Sequence, residues 1–193
     1  MTNVSIKALA SNDVLKILDL YRAAAIVPGS GLARAYDEVS IEYIQSFVER
    51  ALKHGLLLGA CIDDELIGEI HAARLGPRQF DHVMGDLTVA VHPKAQGKGV
   101  GSALFAAFFE AVSVMSPAVT RIELTARSGN SGALRLYERL GFIEEGRLVG
   151  RVQLPDGSVE DDIPMARISA ELSFRMVQIK ASVTQTFGCR RPT

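Results

Sequence analysis

The stretch His92-Pro93-Lys94-Ala95-Gln96-Gly97-Lys98-Gly99-Val100-Gly101-Ser102-Ala103-Leu104 decides how the rest of the chain reads. It follows an apolar run at 87–91 and leads into a helix-like run at 102–115, so its glycines stand where a strand hands over to a helix. The first N–H groups of a helix have no intrahelical partner, and the helix dipole adds positive potential there, so such a junction binds an anion through backbone alone. Glycine lets that backbone take unusual dihedrals and approach the ligand closely. The spacing excludes two nucleotide motifs. A dinucleotide fold needs G-x-G-x-x-G and a P-loop needs G-x-x-x-x-G-K-[ST], whereas this loop reads G-x-G-x-G with no Lys-Ser/Thr pair after it. What remains is Q-x-x-G-x-G, carried by Gln96, Gly99 and Gly101. From these residues alone, an ordinary glycine-rich strand-to-helix turn is an equal reading.

Working outward, 4–9 alternates as a strand, and Ser11-Asn12-Asp13 caps a helix carrying Val14, Leu15, Ile17, Leu18 and Tyr21 as far as Ala25. Pro28-Gly29-Ser30-Gly31 breaks the chain. A second helix from Ser40 places Ile41, Ile44, Phe47, Val48, Ala51 and Leu52 on one face and stops at His54-Gly55. Runs 56–62 and 66–75 form a hairpin around Asp63-Asp64-Glu65, and 82–91 supplies a further strand. After the glycine loop, Leu104, Phe105, Phe108, Phe109, Val112 and Met115 make the core-facing stripe of a helix. Then come a strand at 120–127, a short helix at 131–140, and strands at 142–154 and 158–167 around Pro155-Asp156-Gly157. The expected order is β-α-α-β-β-β-α-β-α-β-β: an α/β fold whose mixed, largely antiparallel central sheet is flanked by helices.

A chain of 193 residues with 48% hydrophobic and 22% charged content suits one domain, expected over 1–168. In the tail, 169–193, Leu172, Phe174 and Met176 alternate while Val177 and Ile179 shift the register, leaving helix and strand both open, and docking, dimerisation or partial disorder as the alternatives. A net charge of −1 gives no electrostatic footprint for nucleic acid or an anionic membrane. The N-terminus lacks a basic start followed by an apolar core, so the chain is expected to be cytoplasmic. Cys61 and Cys189 are expected as free thiols. With His54, His71, His82 and His92 scattered, no metal site is expected.

A second motif lies about 30 residues beyond the first: Asn130, Ala133, Leu136, Tyr137, Arg139, Gly141 and Phe142 fit N-x-x-A-x-x-L-Y-x-[KR]-x-G-F. Together with Gln96, Gly99 and Gly101, in this order and with a strand between, the chain resembles the GNAT superfamily of N-acetyltransferases. Its later run, from Gly141-Phe142 through Glu145-Gly146 and Asp156-Gly157 to Met165-Ala166-Arg167, resembles the branch that acetylates free amino acids or related small amines, and the neighbouring branch that acts on protein N-termini.

The resemblance implies a GNAT-type fold and an acetyl-CoA-dependent N-acetyltransferase acting on the primary amine of a small molecule, an amino acid first. The alternatives are a protein N-terminal, ribosomal-protein-like enzyme, an antibiotic-modifying enzyme, or a non-catalytic acyl-CoA sensor. Acetyl transfer needs a thioester held beside a neutral nitrogen, a donor for the carbonyl oxygen, and a proton for the departing thiolate. By resemblance, the carbonyl goes to N–H groups near Thr88 and Val89, and the pantetheine amides to Val89, Ala90 and Val91. The pyrophosphate goes to the loop after Gln96, that is Gly97, Lys98, Gly99, Val100, Gly101 and Ser102, with Lys98 adding charge. Asn130 would contact the cofactor, and Tyr137 would protonate the thiolate. The base is drawn from Asp86, Glu69 and Glu123, with Asp86 favoured as the opener of the cofactor strand. The segment with Tyr36, Asp37 and Glu38 would border the acceptor, while Arg34, Arg74, Arg78 or Arg147 would face an acceptor carboxylate. Many relatives are homodimers, so a homodimer is expected.

Overall fold

The structure is a computed structural model that describes residues 4–27 and 32–169. The expected tail, Cys189 and the Pro28-Gly29-Ser30-Gly31 break lie outside the described residues.

Strand β1 (Ser5–Ala8) is followed by α1 (Val14–Ala25), where the Asp13 carboxylate accepts the Ala10 N–H at 3.1 Å and holds the entry turn. Helix α2 (Ile41–His54) begins at Ser40, whose hydroxyl accepts the Tyr43 N–H at 3.2 Å. The chain passes straight from His54 into β2 (Gly55–Ile62), with no loop between. Asp63 and Asp64 join β2 to β3 (Glu65–Arg74), both at positive φ (46° and 65°), as a tight two-residue hairpin turn requires; aspartate tolerates that region better than most residues. Next come β4 (Val83–Val91), α3 (Val100–Ser113), β5 (Arg121–Arg127) and α4 (Ser131–Arg139).

One expected strand divides. The run 142–154 becomes β6 (Ile143–Glu144) and β7 (Leu148–Gln153), both antiparallel to β8 (Val159–Ile168). The break has a local cause: at 145–147 the chain leaves the ladder after the Glu145 N–H reaches Pro164 O at 3.0 Å, and Arg147 turns to pair with Glu144 and Asp161.

The eight strands form one sheet in the order β1-β2-β3-β4-β5-β8-β6, with β7 also on β8. Only β4 and β5 run parallel; every other pairing is antiparallel. Two cores follow from the alternation of β residues. On one face α3 lays Leu104, Phe105, Phe108 and Val112 against Ile70, Ala72, Met84, Ile122 and Leu124. On the other, α1 and α2 bury Ile17, Leu20, Tyr21, Ile44, Phe47 and Val48 against Leu57 and Ala90. The phenylalanine stripe is thus core, as its helical spacing predicts. Each such ring contributes roughly 1.5–3 kcal/mol on burial.

Candidate active site

The site starts from a defect in the sheet. β4 pairs with β5 only at Val83↔Arg121 and Met84↔Ile122. Immediately afterwards β4 carries an extra residue: between the pairs His71↔Thr88 and Ala73↔Gly85, Ala72 of β3 stands opposite Asp86 and Leu87 of β4, and Asp86 takes φ +50°. The bulge bends β4 away, and from there to Val91 its second edge has no strand partner among the described residues.

That edge offers a specific set of groups. The His92 N–H donates to Ile67 O at 2.9 Å, which fixes the phase of the antiparallel ladder. By alternation Thr88 and Ala90 spend their amides on β3, while Val89 and Val91 turn their N–H and C=O groups into the gap. Of the four strand residues expected to meet a ligand, Val89 and Val91 therefore present backbone groups to the gap, while Thr88 lines the neighbouring cavity.

The anion loop closes one end of the gap. Gly68 lets it come close: a Cβ there would lie 2.9 Å from Val100 Cγ1, so only glycine allows the start of α3 to rest on β3. Gly97 and Gly99 stand at φ +71° and +82°, and a Cβ on either would project into open space. Gly99 is the residue before the helix, and no side chain caps the N–H groups of Val100, Gly101 and Ser102. This is an open cradle of unpartnered donors on a 14-residue helix, which fits a diphosphate. Lys98 is exposed beside it. Gln96 is spent internally, donating from Nε2 to Val91 O at 3.2 Å. Asn130 is likewise engaged: its Oδ1 accepts the Ala133 N–H at 3.1 Å and starts α4, leaving the amide NH2 available.

Helix α4 abuts the start of α3; a Cβ on Gly101 would lie 3.6 Å from Leu136 Cδ2. This puts Tyr137 among Phe105 (5.8 Å between centroids) and Phe142 (5.9 Å). Burial pushes its phenol up to about 12, so it is a neutral donor at any physiological pH. Its hydroxyl makes no hydrogen bond among the described residues.

On the opposite face of the sheet a cavity of about 400 Å³ is lined by Arg34, Tyr43, Phe47, Arg50, His71, Asp86 and Thr88, among others. Thr88 and the bulge at Asp86 place it beside the gap. The three carboxylates considered for base differ sharply. Asp86 lines the cavity but is exposed and ion-paired with Arg50. Glu123 lies on β5, paired with Arg121. Glu69 is wholly buried, accepting from Tyr21 Oη at 2.7 Å and facing His71 Nδ1 at 3.0 Å. Burial and the Glu69 carboxylate push the Tyr21 phenol well above its ordinary range. His71 was legible only as a scattered histidine; its signal is Glu69 and His71 at i and i+2, one face of an otherwise apolar strand.

Of the four arginines considered, Arg34 alone lines the cavity, its guanidinium 4.2 Å above the Tyr43 ring. Arg74 donates to Pro117 O, Arg147 pairs with Asp161, and Arg78 lies in a short turn. The segment with Tyr36, Asp37 and Glu38 forms a single turn of 3₁₀ helix, and Arg34 comes from the chain just before it. Among the described residues no helix is long and apolar enough to cross a membrane, and no cluster of three or more His, Cys, Asp or Glu could hold a metal.

Residues 16–142 match the model of the acetyltransferase (GNAT) family. The L-amino acid N-acetyltransferase of Escherichia coli (strain K12) is 33% identical over 112 residues, 58% of this chain and 67% of that protein. A mycothiol acetyltransferase of Paenarthrobacter aurescens is 34% identical over 91 residues, 46% of this chain. The chain spans 27% to 37% of the length of the mycothiol acetyltransferases it matches. Among solved structures, the yncA acetyltransferase of Salmonella typhimurium with its cofactor acetyl-CoA superposes with a TM-score of 0.73, at 20% identity over 86% of this chain and 94% of that one. The matched span takes in the anion loop, the gap edge of β4 and the α4 tyrosine, and the chain belongs to the acetyltransferase (GNAT) family of N-acetyltransferases.

Proposed function

We propose that this N-acetyltransferase takes its acetyl group from acetyl-CoA and transfers it to the α-amine of a free amino acid. Arg34 carries the reading. It is a cation in the wall of the cavity, and among the described residues it has no acidic partner, so it can receive an acceptor carboxylate. The other cavity arginine, Arg50, already holds Asp86, which leaves Arg34 as the cation of the lining without an acidic partner among the described residues. A polyamine or aminoglycoside would call for the opposite sign. The name of the Escherichia coli relative agrees with this choice.

Acetyl-CoA, when bound, supplies an acyl group already activated as a thioester. The residues present suit it: the uncapped N–H groups of Val100, Gly101 and Ser102 hold the diphosphate, with Gly97, Gly99 and Lys98 around it. Val89 and Val91 offer strand-like hydrogen bonds to the pantetheine arm, and the Val89 N–H meets the developing oxyanion. The Asn130 amide is free to touch the same arm. Tyr137 gives its hydroxyl proton to the departing thiolate. Asp86 holds Arg50 at the cavity wall. The reading also carries a cytoplasmic location, where acetyl-CoA is available, and a homodimer as the assembly, which sedimentation tests: a concentration-independent monomer removes it.

The test is thiol release from acetyl-CoA against L-amino acids, their amides, short peptides, polyamines and aminoglycosides, with Cys61 and Cys189 as fixed background. Turnover with an amino acid, weakened at least about tenfold in kcat/KM by amidating its carboxyl, supports the reading. Arg34→Gln is expected to erase that difference. Turnover confined to polyamines or aminoglycosides overturns it, and turnover confined to peptides moves the acceptor to a protein N-terminus.

A further inference from the structure

Among the described residues, Glu69 is the only buried carboxylate and His71 the only buried imidazole; they touch each other, and His71 lines the acceptor cavity with Glu69 behind it. A carboxylate with no exposure is costly unless donors surround it. Tyr21 Oη donates to Glu69 Oε2 at 2.7 Å, and His71 Nδ1 stands 3.0 and 3.2 Å from the two oxygens. A carboxylate anion only accepts, so with Glu69 in that form the contact has the His71 Nδ1 donate and leaves Nε2 its lone pair. Phe47 stacks on the imidazole with centroids 4.0 Å apart and planes 5° from parallel, fixing the ring's tilt as Glu69 fixes its rotation. Across the ladder His71 is registered with Thr88, next to Val89 at the gap edge. A core built only for stability would place apolar residues here.

We propose that His71 is the general base of the transfer, acting through Nε2, with Glu69 and Tyr21 as positioning residues; this rests on the acetyl-transfer reading above. The amino acid enters as an ammonium ion, and His71 Nε2 removes one proton from it. The freed nitrogen lone pair then forms the C–N bond at the thioester carbonyl. As the C–S bond breaks, the sulfur takes the Tyr137 proton, and Tyr137 is refilled by the second proton leaving nitrogen. His71 passes its proton to water through the cavity mouth, so the net products are amide, thiol and one proton. Asp86, tied to Arg50, is not needed for this step.

The charged and titratable groups around the imidazole are Glu69 on its own strand, Tyr21 on α1, Tyr43 and Arg50 on α2, Arg34 before α2, and Asp86 on β4. The first measurement is independent of turnover: imidazole ¹⁵N shifts of the intact chain at neutral pH. A protonated Nδ1 and a bare Nε2 on His71 are expected, and the opposite tautomer overturns the proposal. Next, His71→Gln is expected to bind acetyl-CoA normally by calorimetry, yet to lose about a hundredfold or more in kcat/KM for the best amino acid and to flatten the acidic limb of its pH profile. Wild-type kcat/KM with that limb intact overturns the base while leaving the acetyltransferase reading standing. Glu69→Gln is expected to let the His71 ring populate both tautomers in the same ¹⁵N measurement, because the acceptor that holds the Nδ1 proton is gone; an unchanged tautomer removes Glu69 from the role. If the wild type acetylates no amino acid, the functional reading falls and this proposal with it.

Discussion

Gln96 Nε2 donates to the Val91 carbonyl at 3.2 Å, so a single side chain ties the anion loop to the end of the gap-facing strand edge. The bond orders the loop and occupies the last acceptor of that edge. Gln96→Leu, which keeps the bulk and removes the donor, is expected to weaken acetyl-CoA binding about two- to tenfold by calorimetry, with kcat largely kept. Unchanged affinity would show that the loop holds its shape without this tie.

Gly99 stands at φ +82° with open space where a Cβ would project. A β-branched residue there strains the backbone by roughly 1–2 kcal/mol and fills the cradle. Gly99→Val is expected to lower the melting temperature slightly and acetyl-CoA affinity markedly. Affinity unchanged by calorimetry would sink the diphosphate assignment.

Tyr137 is held up to about 12 by burial. Its raised value favours the folded state below the ordinary phenol range, and that contribution fades as pH rises through about 12. As proton donor it stays loaded, so kcat should not fall between about pH 8 and 10 through loss of this proton. Tyr137→Phe is expected to bind acetyl-CoA normally and turn over at least about tenfold slower, and to lose the phenol ionisation near 12 from an ultraviolet titration. Equal rates would remove Tyr137 from the chemistry.

Arg121 on β5 pairs with Glu145 beyond β6 and with Glu123 on its own strand. The Arg121 hydrogen bond holds the Glu145 carboxyl below its ordinary value. A depressed carboxylate stabilises the fold above its unfolded pKa, and the effect is lost as pH falls through the folded one. Arg121→Ala should therefore melt lower than wild type at neutral pH, with the difference closing on acidification below about pH 4. A difference that persists in acid would assign it to packing.

The parts of the site carried by local patterns were legible in the sequence. The glycine spacing located the junction of β4 and α3, and the Asn130–Phe142 pattern located α4 with Tyr137, because both depend on near neighbours. What escaped depends on distant partners or on backbone with no residue signature. Tyr21 meets Glu69 across 48 positions, so neither looked engaged from sequence. The bulge at Asp86 places a non-glycine residue at φ +50°, which no turn motif announces. The division of 142–154 into β6 and β7 was set by contacts to β8 rather than by its own periodicity. Arg34 could be named but not placed, since only the folded loop shows which arginine reaches the cavity.

With β4 and β5 joined at only two residue pairs, the sheet is two half-sheets on a short hinge. A ligand that spans from Val89 and Val91 towards β5 takes the position of the absent rungs, acting as a temporary strand. Under the proposed function, binding and cohesion would draw on the same backbone edge: the sheet would be most nearly whole with its ligand in place, and release would reopen the seam.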